Sequence, residues 1–311
     1  MPDRPLVIVG TLADPHAKAI YDGLRERGAD PVVLDGQRFP EDMTLSMGEA
    51  SDAMVLDGRP LGRPAAAYVR SLYQSPASFG VDADEAMKED WRRTMAAFRE
   101  RTTVLAALLL RWEEGGAAVY NPTGAANNIT KPYQISLLHA AGLPVPATLW
   151  SNDPEAVRRF CAEHEAIYKP VAGGASTRRV RPEDLGDERL SRLRAAPVCF
   201  QELLPGDDVR VYVIDDEVIC ALRIETDSID FRGSEGRIEP IELPPEVREQ
   251  CRRATATLGL RFTGMDIKGD REGRYRILEL NPSPMFLGFE SRAGVDIKGP
   301  LCDALLSHAA E

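Results

Sequence analysis

What the sequence lacks narrows its chemistry first. None of its five cysteines, Cys161, Cys199, Cys220, Cys251 and Cys302, sits in a Cys-x-x-Cys pair, and their number is odd. That argues against a zinc ribbon or a disulfide scaffold and predicts reduced thiols in a cytoplasmic protein. The four histidines, His16, His139, His164 and His308, are scattered without metal-binding spacing. No run of about eighteen apolar residues exists, so no membrane span is expected. The N-terminal Met-Pro-Asp-Arg-Pro passes straight into a strand and has no signal-peptide design. A basic excess is missing too. The net charge is −11, which leaves no footprint for duplex nucleic acid beyond a local patch at Arg178, Arg179 and Arg181. No Gly-x-Gly-x-x-Gly follows the first strand, so a dinucleotide fold is not supported. No Ser–His or Cys–His arrangement suggests a covalent nucleophile.

What remains is globular material of 311 residues, long enough for two or three domains. Leu6-Val-Ile-Val reads as a buried strand. Asp14 then caps a helix whose Ala17, Ile20, Tyr21 and Leu24 repeat at helical spacing up to Gly28, and a second strand starts at Pro31. This β-α-β opening predicts an α/β N-terminal domain. Short strands are expected over 42–75. A long helix is expected over 86–114, with Trp91, Met95, Phe98, Val104, Leu105 and Leu108 as its apolar positions. Thr130 is a candidate cap for the helix that carries Ile135 and Leu138.

Three stretches carry chemistry. An apolar strand delivers Lys169 to a loop of Gly173, Gly174, Ala175, Ser176 and Thr177, where backbone N–H groups can approach an anion. By strand alternation Asp208, Arg210 and Tyr212 share a face, and Arg223 lies on the partner strand of that hairpin. Two such arginines can clamp a phosphoryl group or merely bridge acids across a sheet. Finally, residues 264–281 read as a hairpin with a polar turn. Alternation puts Tyr275, Ile277, Glu279 and Asn281 on one face, and pairing can bring Asp266 beside them. Two carboxylates and an amide oxygen would form an all-oxygen site suited to Mg²⁺, against the plainer reading of solvated acids on a surface turn.

The order of these features, Lys131, Lys169 before the Gly loop, Gln201-Glu202-Leu-Leu204, Asp208-Val-Arg210, Arg223, Asp266 and Glu279-Leu-Asn281, resembles the ATP-grasp superfamily of carboxylate ligases over about residues 119–311. The resemblance implies an α/β N-terminal domain (1–118) plus an α+β ATP-grasp fold of two subdomains clasping ATP. These are a central subdomain with a Gly-rich lid (119–200) and a C-terminal subdomain with the Mg²⁺ site (201–311). It assigns Lys131 and Lys169 to the ATP phosphates and Gly173, Gly174 and Ser176 to the lid. Gln201, Glu202, Leu203 and Leu204 form the adenine hinge, and Asp208 the ribose contact. Arg210 and Arg223 face the γ-phosphate, and Asp266, Glu279 and Asn281 hold two Mg²⁺ ions, replaceable by Mn²⁺. Within the superfamily the chain looks most like the ribosomal-protein glutamate ligase (RimK-like) and graspetide synthetase branch. The similar segments are 68–73, Asn121-Pro-Thr, Asp230-Phe-Arg232 and Leu243-Pro-Pro245. Pro282-Ser-Pro-Met-Phe286 departs from the Gly-Gln-aromatic pattern of the cyclases.

The implied activity is ATP-dependent carboxylate–amine ligation through an acyl phosphate, with a peptide or amino acid as substrate. Two alternatives stand beside it: a macrocyclase that forms ester or amide cross-links in a ribosomal precursor peptide, and a non-catalytic nucleotide-binding module. A homodimer is the base-rate expectation.

Overall fold

The computed structural model describes residues 4–49, 54–70, 82, 84, 85, 88, 90–128, 130–172, 176–229 and 236–309. The chain opens with β1 (Leu6–Val9), α1 (Pro15–Glu26) and β2 (Val32–Leu34). A small antiparallel sheet of β3 (Leu45–Met47), β4 (Met54–Leu56) and β5 (Arg59–Pro60) follows, then β6 (Ala66–Val69), α2 (Trp91–Glu114) and β7 (Ala118–Tyr120). Strands β2-β1-β6-β7 form a parallel sheet. Parallel strands are covered on both faces, which is why β1 and β6 are apolar at every position. Leu6, Ile8, Ala66 and Tyr68 pack on Ala17, Ile20 and Leu24 of α1. Val7, Val9, Ala67 and Val69 face Leu105, Leu108, Leu109 and Trp112 of α2.

The cap at Asp14 is formed: its carboxylate accepts from the N–H groups of His16 at 2.8 Å and Ala17 at 3.0 Å, and from Arg70 Nε at 3.1 Å. Burial pushes the Asp14 pKa up, but Arg70 and the two N–H groups outweigh it and hold the carboxyl below its usual range. A lowered folded pKa contributes stability that is present above the unfolded value and lost as pH falls through the folded one. Asp14→Ala is therefore expected to cost about 1–2 kcal/mol at pH 7 in urea unfolding, with the difference shrinking below about pH 4.

Helix α2 begins at Trp91 under an Asp90 cap, and among the described residues of its first half Phe98 packs against the core. Trp91 and Met95, expected as core positions, are 52% and 40% exposed. A 24-residue helix spans about 36 Å, against about 13 Å for a four-residue strand, so only its second half lies over the sheet.

The middle of the chain supplies α3 (Thr123–Asn128) and α4 (Lys131–Ala140). Thr130 holds the cap position of α4 without a side-chain bond. An antiparallel sheet in the order β10-β9-β11-β8 follows, built from β8 (Thr148–Ser151), β9 (Ala166–Pro170), β10 (Arg178–Arg179) and β11 (Val198–Glu202). Helix α5 (Pro154–Glu163) and the short α6 (Asp187–Leu190) contribute Val157 and Leu190 to the core beneath Phe200.

The last sheet is β14-β13-β12-β15-β16, all antiparallel: β12 (Asp208–Ile214), β13 (Glu217–Ile224), β14 (Ile238–Ile241), β15 (Phe262–Gly269) and β16 (Tyr275–Asn281). One face, with Val209, Val211, Met265 and Ile267, packs on α4 and on α7 (Pro245–Thr257). On the other face Tyr212, Leu222 and Phe262 join the core of α1 and β1 through Phe286 and the terminal helix α9 (Lys298–Ser307), which follows α8 (Leu287–Ala293). The first and last segments of the chain thus share one core. The division expected at 200/201 falls inside β11, and α4 packs under the C-terminal sheet although it precedes that division. Among the described residues no helix is long and apolar enough to cross a membrane.

Candidate active site

The candidate site lies on the face of the last sheet that points away from α4 and α7, where β12, β15 and β16 run side by side. Residues directly opposite in an antiparallel pair share a face. Arg210 is opposite Asp266, and Asp266 is opposite Glu279.

Simple alternation on β16 does not give this arrangement. Lys268 pairs with Arg276 and Ile267 with Ile277, but Asp266 pairs with Glu279, so β16 carries one extra residue at this point. The bulge reverses the parity of the strand. Ile277 and Leu280 both enter the core, while Leu278, Glu279 and Asn281 line the cleft. The expectation that Tyr275 and Ile277 share the face of Glu279 is corrected by this bulge. In the unshifted register Asp266 would lie opposite Leu278, and Glu279 would face the core beside Met265.

Around this point lies an open cavity of about 290 Å³, lined among others by Lys131, Thr177, Asp208, Arg210, Asp266 and Glu279. Arg210 Nε stands 3.1 Å from Asp266 Oδ1, and both side chains are nearly buried. Among the described residues neither atom makes a well-directed hydrogen bond, so the contact is an ion pair of poor angle. Arg210 Nη1 also donates to the Gly264 carbonyl at 3.1 Å, and the guanidinium lies 5.4 Å from the Phe289 ring centroid. A Cβ on Gly264 would stand 2.7 Å from Arg210 Nη1 and from Pro284 Cβ, so glycine lets the arginine come this close. The Lys131 ammonium, at the start of α4, forms a close ion pair with Glu279 Oε2. Asn281 Nδ2 is 3.4 Å from both Glu279 Oε1 and the Gly264 carbonyl.

Burial raises the Asp266 pKa to about 6; Arg210 opposes this, and Glu279 and Asp208 reinforce it. Burial also pushes Glu279 up, but Lys131 outweighs it and holds that carboxyl low. The two acids are pushed apart as a charged pair sharing one small volume should be.

The remaining predicted residues are spread more widely. Lys169 Nζ donates to Gln201 Oε1 at 3.0 Å, and Gln201 Nε2 donates to Thr148 Oγ1 at 2.9 Å. The Glu202 carboxylate accepts from the Ala147 N–H at 3.1 Å, and the Leu203 N–H donates to the Glu165 carbonyl at 2.7 Å. Leu203 and Leu204 line a second cavity of about 520 Å³, which shares Asp208 and Ile229 with the first. Asp208, expected at a ribose, is buried and ion-paired with Lys268, its neighbour across β15. Arg223 is not brought to Arg210. It lies opposite Val209, on the other face of the sheet, and pairs with Glu239 at 2.6 Å and Asp207 at 3.4 Å at the rim of the second cavity. Ser176 is exposed; Gly173 and Gly174 lie outside the described residues, as do 71–73 and 230–232 of the segments similar to peptide cyclases.

Two groups at the site were not read from the sequence. Arg70 bonds Asp14 and donates through Nη1 to Ser283 Oγ at 2.7 Å and the Ser283 carbonyl at 2.9 Å, tying the end of β6 to the segment after Asn281. Gln134, one turn beyond Lys131, bonds the backbone of Leu280. Neither gives a local signal, because Ser283 and Leu280 lie more than 140 residues from Arg70 and Gln134 in the chain.

A RimK-like ATP-grasp domain matches residues 198–305. A solved structure of the ATP-grasp ligase PsnB, complexed with a phosphomimetic variant of minimal precursor, Mg and ADP, covers 99% of this chain and 99% of that chain, with a TM-score of 0.93 and 62% identity. The tetrahydromethanopterin:alpha-L-glutamate ligase of Methanosarcina acetivorans is 27% identical over 328 residues, covering 92% of this chain and 94% of that protein. The macrocyclase MdnC from Microcystis aeruginosa MRC, bound with precursor peptide MdnA, shares the fold at a TM-score of 0.81 and 19% identity, over 97% of this chain and 99% of that one.

Proposed function

This chain belongs to the ATP-grasp family of ligases, and from that premise we propose that it uses ATP to activate a carboxylate of a peptide and joins it to a nucleophile on the peptide. The observation that carries the reading is the meeting of Asp266, Glu279 and Asn281 with Arg210 and Lys131 in one open cleft.

The donor set fits Mg²⁺. Among the described residues no three His, Cys, Asp or Glu side chains gather into a metal site. Magnesium held with a nucleotide needs only one or two carboxylates, because phosphate oxygens and water complete its shell. The charges fit as well. Lys131 and Arg210 form ion pairs with Glu279 and Asp266. When phosphates engage the two cations, the carboxylates become available to the metal. Bound there, one or two Mg²⁺ ions supply charge neutralisation on the phosphate oxygens; Mn²⁺ has the same preference for oxygen.

The residues then divide the work. Lys131 and Lys169 bind phosphate, Arg210 withdraws charge from the γ-phosphoryl group, and the backbone at 202–204 borders the base. A carboxylate oxygen of the peptide attacks the γ-phosphorus, the bond to the β-phosphate oxygen breaks, and ADP leaves. The nucleophile then attacks the acyl carbon, loses its proton, and inorganic phosphate departs. The protein positions these groups and needs no covalent nucleophile of its own.

Peptide as the substrate class is supported by the PsnB complex with precursor peptide PsnA2, which is 58% identical over 98% of this chain. At that identity the departure at Pro282–Phe286 does not weigh against a peptide. If one peptide carries both acid and nucleophile, the product is an ester or amide cross-link, and that likeness favours this reading over ligation to a free amino acid. A non-catalytic module is set aside with family membership. Five free thiols agree with a cytoplasmic setting.

The reading is tested by ADP release with acidic peptides in the presence of hydroxylamine, which traps an acyl phosphate as a hydroxamate. Peptide-dependent ADP is expected, with each turnover matched by one hydroxamate or by one water lost from the peptide. ADP release with neither product, or none with any acidic peptide, would sink it.

A further inference from the structure

Among the described residues β16 is the outer strand of its sheet, and no described strand pairs with the backbone groups on its far side. Gln134 takes the place of that strand at one residue. Its Nε2 donates to the Leu280 carbonyl at 3.0 Å, and its Oε1 accepts from the Leu280 N–H at 2.7 Å. Both bonds are buried, and Gln134 is 3% exposed. Leu280 lies between Glu279 and Asn281, directly after the bulge that turns them to the cleft. Before the bulge, the Ile277 N–H donates to the Pro144 carbonyl at 2.8 Å. The extra residue is thus pinned from outside on both sides.

Helix α4 grips the strand twice within one turn: Lys131 holds the Glu279 carboxylate, and Gln134 holds the next peptide. Packing alone does not call for an amide at 134, since Ile135 and Leu138 of the same helix are buried as apolar residues. A buried amide is costly unless bonded, and here its bonds go to a backbone that shapes the site.

We infer that Gln134 is a positioning residue that holds β16 in the shifted register, so that Glu279 and Asn281 face Asp266. The inference rests on the Mg²⁺ role proposed above. Gln134→Leu removes both bonds at similar volume. By analogy with other residues that orient metal ligands, the loss in metal affinity is expected to be about 10–100-fold.

The experiment is titration of ADP into the full chain by calorimetry, with EDTA and with saturating Mg²⁺. The parent is expected to bind ADP more tightly with Mg²⁺. Gln134→Leu is expected to match the parent in EDTA within about twofold and to lose at least about tenfold of the Mg²⁺-dependent gain. Equal loss with and without Mg²⁺, or an undiminished gain, overturns the positioning role. A parent that shows no Mg²⁺-dependent gain overturns the metal-site reading itself, which separates the two failures. Should Gln134→Leu not fold, Gln134→Glu keeps the acceptor for the Leu280 N–H and loses the donor. Its Mg²⁺-dependent gain is expected below that of the parent, and an equal gain overturns the proposal.

Discussion

Asp266→Asn is expected to lower peptide-dependent ADP release by about two orders of magnitude, about 3 kcal/mol of transition-state stabilisation, and yet to leave the metal-free protein at least as stable as the parent at pH 8. Burial raises the Asp266 pKa from 3.8 to about 6, against the pull of Arg210. The folded pKa is above the unfolded one, so this carboxyl favours folding fully below about pH 4 and loses that contribution as pH rises through about 6. Above pH 6 the folded protein carries a buried charge whose surroundings do not fully compensate it. Asparagine never carries that charge, and its Oδ1 can still face Arg210, which keeps its bond to Gly264 and its place near Phe289. Urea unfolding without Mg²⁺ at pH 8 and pH 5 checks the stability half: any advantage of the variant is expected to shrink at pH 5. A variant weaker than the parent by more than about 2 kcal/mol at pH 8 would mean that the ion pair outweighs burial. Wild-type turnover at saturating Mg²⁺ would remove Asp266 from the site.

The second large effect is structural. Asn121, 1% exposed, holds together two segments that are distant in sequence. Its Nδ2 donates to the Phe262 carbonyl at 2.6 Å and, at close range, to the Pro282 carbonyl. Its Oδ1 accepts from the N–H groups of Arg261 at 2.7 Å and Phe262 at 2.8 Å. Asn121→Leu keeps the volume but strips four backbone groups of their partner. Unpaired buried groups cost about 1–3 kcal/mol each, and with partial repair by water the total is expected near 4 kcal/mol. For a chain of this size that is a fall of roughly 10 °C in Tm, measured by calorimetry. Asn121→Asp, which keeps the acceptor and loses both donors, is expected to fall at least as far, because a buried charge is added. A loss below about 1 kcal/mol for Asn121→Leu would show that the two segments hold together without it.

Periodicity and turn chemistry determined much of this protein from sequence alone. The β-α-β start, the Asp14 cap, the long helix before β7 and the hairpin that carries Arg210 and Arg223 follow from local preferences that a short window contains. The order of lysines, arginines and acids along the chain carried the family likeness. Alternation placed Arg210 beside Asp208, and the opposed pairing of Asp266 and Glu279 is formed. Tertiary structure decided the rest. The bulge in β16 follows from which apolar residues the core takes, Ile277 and Leu280, and no local rule announces it. Arg223 went to the opposite face from Arg210 because its partner across the ladder is Val209, a register that the sequence does not state. Trp91 and Met95 fell outside the core because the sheet beneath α2 is shorter than the helix. Arg70 and Gln134 acquired their roles only when the chain brought Ser283 and Leu280 to them. Local energies set the elements and their residue types, while strand register and packing set which face each charge occupies, and the site depends on that face.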